Sequence, residues 1–261
     1  MEFEALDLKS SSRIPIRDYV EQPSAVVSRL AHGWEFHSAT LLAPGEERTM
    51  VRDPVSAIPA AVASRLSPLR LWVVPYIECL PDGDVVRMEK PAGNTHTAVW
   101  EETPKGLQVV LACREVNAHD TGFELLGATA ELLEGRLLPK ENERYRQLIE
   151  RELAEKVPGE IDQDALEMKK KFEQARAGRR KEPTLDTYLA QAFSATLAEY
   201  MHGLWHDVEI RTGPAHLPVP AIRRRLELMT SLFPPNQGYR VFDDNFTEQA
   251  KGEETSSKTA L

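Results

Sequence analysis

The densest group of reactive side chains in this chain is Glu199-Tyr-Met-His202-Gly-Leu-Trp-His206-Asp-Val-Glu209. Two carboxylates and two imidazoles stand at i, i+3, i+7 and i+10, which lines them up along one face of a helix. Two histidines one turn apart can hold a divalent metal, with a flanking glutamate as further ligand or base. A Glu-x-x-His pair also makes half of a di-iron site in helical bundles, but the chain has no second Glu-x-x-His to complete one. The same helix carries Leu189, Phe193, Leu197, Tyr200, Leu204 and Val208 as a stripe predicted to face the core. Glu199, His202, His206 and Glu209 fall on nearly the opposite side. That favours a solvated polar face, and a metal site there needs a covering element to supply a third group.

His119-Asp120 is the second candidate, placed between a predicted strand and a predicted helix, where loops present side chains from a rigid support. Its simpler reading is a capping aspartate beside a turn histidine. His119 and Asp120 are also the groups expected to complete a metal site with His202 and His206. Cys79 and Cys113 each end a predicted strand; if those strands were neighbours, the sulfurs could pair or share a metal. The favoured reading is two free, small apolar residues. His96 with Trp100, and His32, Trp34 and His37, are read as packing or surface positions.

These groups need a scaffold, and the chain predicts an α+β protein: an antiparallel β-meander in the N-terminal half followed by a helical C-terminal half. Residues 1–20 are expected to be a flexible arm, and Val55 to Leu66 a helix that Pro59 weakens. The sheet-rich region, 21–118, draws its strands from Leu71–Cys79, Val85–Met88, His96–Trp100 and Leu107–Cys113. Pro81-Asp82-Gly83-Asp84 supplies a hairpin turn, and Pro75 marks an edge or a bulge. After Asn117 the apolar period changes from two to 3.6. Thr121-Gly-Phe-Glu124 fits a capping box, and five helices are expected over 119–235. Residues 236–261 read as a disordered tail.

Composition bounds the function. The chain has 261 residues, 41% hydrophobic and 28% charged, enough for a sizeable core. A net charge of −9 disfavours nucleic-acid binding through broad electrostatic attraction. No apolar run approaches the roughly 18 to 20 residues that span a bilayer, so no membrane association is expected. Two cysteines and the absence of an apolar leader pattern point to the cytoplasm. Motifs for dinucleotide binding, P-loops, nucleophile elbows and H-E-x-x-H zinc sites are missing. Residues 140–182 hold 12 Lys+Arg against 11 Asp+Glu and read as a projecting charged helical hairpin that engages a protein partner. The leading expectation is therefore a protein-interaction or accessory protein. The alternatives are a metal-dependent enzyme with ligands on the helix at 185–209, and a small-ligand-binding sensor.

Overall fold

The structure is a computed structural model that describes residues 13–22, 28–114, 116–178, 182–206 and 213–242. It divides into two compact units. One takes the described residues up to Ser56 together with Leu66–Ala128; the other takes Ala57–Arg65 and the described residues from Thr129 onward. The expected order of a sheet-bearing first half and a helical second half holds.

The first unit contains β1 (Ile14–Pro15), α1 (Ile16–Glu21), β2 (Ser28–Arg29), β3 (Glu35–Ser38) and α2 (Pro44–Glu47). The predicted helix over 55–66 is two pieces, α3 (Asp53–Ala57) and α4 (Ala60–Ala63). Pro59 stands between them in an extended conformation as the residue before α4, as a ring without an N–H requires. Six strands follow: β4 (Leu69–Val74), β5 (Tyr76–Glu78), β6 (Val85–Arg87), β7 (Thr95–His96), β8 (Ala98–Thr103) and β9 (Gly106–Ala112).

They form two sheets. The smaller, ordered β1-β6-β5-β7, is antiparallel throughout. The larger, ordered β2-β3-β4-β9-β8, is mixed: its outer pairs are antiparallel, but β3·β4 and β4·β9 are parallel. A meander is thus only part of the description. The reason is visible in composition, since Leu71–Val74 and Val109–Ala112 are unbroken apolar runs, buried throughout, as the inner strands of parallel sheets are. Pro75 stands where the chain leaves β4 for β5 in the other sheet, a position that asks no ladder N–H of it.

The expected arm over 1–20 is corrected from Arg13 onward. Ile16, Tyr19 and Val20 of α1 pack with Trp72, Val74, Ile77, Val86 and Val110 in one cluster. Their i, i+3, i+4 spacing gives even this short helix a buried face. Residues 1–12 lie outside the described part.

Helix α5 (Ala118–Glu134) is followed in the second unit by α6 (Pro139–Ala154), α7 (Gln163–Ala177), α8 (Leu185–Trp205) and α9 (Val219–Leu232). The start of α5 is not the expected Thr121–Glu124 box. The Asn117 side chain accepts the Asp120 N–H at 2.9 Å instead, and Thr121 lies inside the helix, its hydroxyl donating to the Asn117 carbonyl. Phe193, Leu197, Tyr200 and Leu204 of α8 are buried as predicted, and so is Leu133; Val208 is outside the described residues. Phe172 of α7 stacks on Tyr188 at 5.9 Å, and Tyr145 of α6 meets the Phe193 ring edge-on at 5.2 Å.

The 140–182 segment is therefore packed into this unit rather than projecting from it. Its charges are partly internal: Glu152, Glu160 and Lys169 are buried, as is Arg225 of α9. Arg225 donates through Nε to Glu152 at 2.9 Å and through both Nη atoms to Glu160 at 2.7 and 3.0 Å. Lys169 Nζ donates to the carbonyls of Val157 and Gly159 at 2.8 and 2.9 Å, and the Tyr188 hydroxyl donates to Glu160. Two cations and two anions cancel, and their donors are used, which is the condition for tolerating charge in an interior. The tail expected from 236 is corrected over residues 236–242. Asn236 donates to Ile58 O at 2.8 Å and accepts from Ala60 N at 2.9 Å, and Val241 is buried; residues 243–261 are outside the described part.

Helix α6 ends in a Schellman arrangement, with Val157 N donating to Glu152 O at 2.9 Å. The left-handed position in it is occupied by Lys156, at φ 54°, where glycine is the unstrained residue. Lys156→Gly is expected to raise the unfolding free energy by about 0.5–1 kcal/mol. Denaturant titration checks this, and a loss of stability would mean that Lys156 makes a contact worth more than its backbone strain.

Candidate functional site

A strand's side chains alternate between the two faces of its sheet, so residues directly opposite each other in an antiparallel pair share a face. In the small sheet Glu78 pairs with Val85 across β5·β6. One step further along, Cys79 comes level with Asp84 at the mouth of the turn, where Gly83 takes φ 120°. On the other side of β5, Ile77 pairs with His96, and Cys79 N donates to Asn94 O at 2.9 Å. Cys79, two residues from Ile77, therefore lies on the same face as His96. Three strands thus converge one thiol, one carboxylate and one imidazole.

Their distances fit a shared cation. One ligand atom from each of Cys79, Asp84 and His96 lies within 4.8 Å of the other two. His96 Nδ1 stands 3.3 Å from Asp84 Oδ2. Tetrahedral zinc with S, N and O ligands places neighbouring ligand atoms about 3.4–3.6 Å apart, so the pair is at coordination spacing. Cys79 and Asp84 are half-buried and His96 is exposed. Asp84 also lines a surface groove of about 570 Å³ with Arg13, Ile16, Arg17, Val99 and Trp100, and the Trp100 ring is among the most exposed large apolar side chains described.

Comparison with protein-family models, with curated proteins and with solved structures finds no match for this chain. The site has to be read from its own chemistry.

The residues singled out in the sequence are distributed differently. His202 is buried in α8 rather than displayed on a solvated face, Glu199 is half-buried, and His206 is exposed. The opposite face fails as a prediction because α8 is covered nearly all round, Met201 and Ala198 included. The imidazoles stay near each other, with ring centroids 5.8 Å apart. His206, however, is extended, at φ −132°, and closes on Trp205 at 4.3 Å. Among the described residues Glu199, His202 and His206 do not form a three-ligand group; Glu209 lies outside them. His119 and Asp120 belong to the other unit, at the start of α5. They face each other at 3.4 Å on the surface, and Asp120 also accepts from the Asn117 side chain at 2.7 Å. Both lie inside α5, and the residue that caps it is Asn117 rather than the expected Asp120.

Cys79 and Cys113 are free thiols. Cys113 is buried at the end of β9, and burial pushes its thiol pKa up, so it is an inert packing residue. The hairpin and its turn are legible in the sequence, and the register one step past the strand sets Cys79 opposite Asp84. Nothing local announced that His96 pairs on the far side of β5.

No described helix is long and apolar enough to cross a membrane.

Proposed function

We propose that this protein binds a divalent metal ion of the zinc class through Cys79, Asp84 and His96. The observation that carries the reading is the convergence of three different ligand types, each with an atom within 4.8 Å of the others. A thiolate, an imidazole and a carboxylate together suit zinc better than magnesium or calcium, which take oxygen ligands. Three protein ligands leave a fourth position for water or substrate, the pattern of a reactive zinc rather than a closed structural one. The groove beside Asp84 supplies room for such an exogenous ligand. The reading takes up the metal-dependent alternative weighed from the sequence and moves its ligands from α8 to the small sheet.

It stands ahead of a partner-binding role for the 140–182 segment. The outward residues of α7, such as Glu167, Lys170, Lys171, Glu173 and Arg176, are a mixed-sign surface of the ordinary solvated kind. A second reading of the same three residues rests on the 3.3 Å contact between His96 and Asp84: a carboxylate orienting an imidazole beside a thiol is also how a cysteine nucleophile is equipped.

Titration of chelator-treated, reduced protein with Co²⁺ or Zn²⁺ separates these readings. The metal reading expects one equivalent bound, thiolate-to-cobalt charge transfer in the absorption spectrum, and affinity at least about tenfold weaker in Cys79→Ser and in His96→Ala. His202→Ala should bind as wild type does. Absence of uptake would retire the metal site. Rapid alkylation of Cys79 that slows in His96→Ala would then favour the nucleophile.

A further inference from the structure

Resting on the metal reading above, we propose that the Cys79–Asp84–His96 site is redox-labile: oxidation of Cys79 by a peroxide releases the bound metal. The site has a single thiolate among its ligands, so no second sulfur remains to hold the ion once that one is lost. Without it the ion would be left with a carboxylate and a single imidazole.

Access favours the same outcome. Cys79 is half-buried, just beyond the end of β5, and two of its immediate surroundings, Leu80 and Asp84, line the open groove. A molecule as small as hydrogen peroxide needs no more than this. The chain's other thiol does not compete, because Cys113 is buried and burial favours its neutral form, which is the unreactive one. Asp84 and His96 already pair with each other at 3.3 Å, so the two remaining ligands have a stable arrangement without the metal.

The chemistry balances with peroxide as the named oxidant. The Cys79 sulfur attacks one peroxide oxygen, an S–O bond forms and the O–O bond breaks. Hydroxide leaves and is protonated to water by a buffer acid; the sulfur is oxidised to sulfenic acid and the peroxide reduced. The sulfenic acid is no longer an anionic sulfur donor, and the metal dissociates. A thiol reductant restores the site in two steps: condensation to a mixed disulfide with loss of water, then exchange with a second thiol.

The test uses full-length protein loaded with one equivalent of Zn²⁺, treated with hydrogen peroxide in the presence of a colorimetric zinc chelator. Sulfenic acid is trapped with dimedone and located by mass spectrometry. The expected result is zinc release in step with a dimedone adduct on Cys79, reversal by dithiothreitol, and unchanged behaviour in Cys113→Ser. Zinc that stays bound at peroxide doses converting most exposed thiols overturns the proposal while leaving the metal reading intact. Release that tracks modification of Cys113, and disappears in Cys113→Ser, overturns it as well. If reduced protein takes up no zinc at all, the metal reading and this inference fall together.

Discussion

Replacing Arg225 by methionine should lower the unfolding free energy by about 3–5 kcal/mol at neutral pH. Arg225 is fully buried and donates to Glu152 and, through both Nη atoms, to Glu160. Its removal leaves two buried carboxylates opposed by Lys169, whose Nζ is 3.6 Å from Glu160, and by the partly exposed Arg224, 4.0 Å from Glu152. The pH dependence identifies the cause. Burial pushes the Glu160 carboxyl up, but the Arg225 guanidinium, the Tyr188 hydroxyl and Lys169 outweigh it and hold the pKa below the usual glutamate value. A carboxyl with a depressed folded pKa contributes stability above its unfolded value, about 4.3, and that contribution is lost as pH falls through the folded value. Wild type should therefore weaken below about pH 4. In Arg225→Met the cost of burying the charge prevails, Glu160 takes up a proton more readily, and the cost of the substitution should shrink between neutral and mildly acid pH. Urea unfolding of both proteins across that range is the measurement. A cost that does not change with pH would identify lost packing rather than uncompensated charge, and one below about 1 kcal/mol would remove the ion cluster from the list of what holds this unit together.

Gly159→Ala is the second large effect, and it acts on the same cluster. Gly159 has φ +70°, and a Cβ placed on it would lie 2.1 Å from His216 O and 2.3 Å from the His216 carbonyl carbon. The close approach exists because the chain beside Gly159 bridges to the segment before α9: Glu160 N donates to Ala215 O at 3.1 Å and Leu217 N to Glu160 O at 3.0 Å. A methyl group must push these strands apart, moving Glu160 from Arg225 and the Gly159 carbonyl from Lys169. Left-handed strain of about 1–2 kcal/mol and overpacking of about 1–3 kcal/mol together imply a loss of roughly 2–5 kcal/mol. Gly83→Ala is the control, since Gly83 also has positive φ but open space around its missing Cβ; it should cost only the strain. Equal losses in the two variants would show that the His216 clash relaxes without consequence. Because Gly159 and Arg225 act through Glu160, combining Gly159→Ala with Arg225→Met should cost less than the two effects added.

The sequence by itself determined the strand-bearing stretches after residue 70 and the helices after residue 118, though not α1, β1, β2 or β3. Apolar period located the four long helices after residue 138 within a few positions, and the stripe through Phe193, Leu197 and Leu204 identified the side of α8 that must be covered. Turn chemistry at Asp82-Gly83 located the β5·β6 hairpin, since few residues other than glycine take φ 120°. These are local matters, settled by neighbours within a turn or two.

Pairing between distant segments was decided only by the tertiary structure. Alternation reports that a strand has two faces but not which strand lies beside it or in which direction, so the parallel β3·β4 and β4·β9 pairs were not legible. Charge in a sequence carries no address. Lys169, Glu152, Glu160 and Arg225 look like solvated surface until four helical and loop segments bring them within hydrogen-bond reach and their charges cancel. The candidate metal site has the same origin. Cys79, Asp84 and His96 stand at spacings that match no ligand motif, and they become a site only because β5 pairs with β6 on one side and with β7 on the other, in registers that put all three on one face.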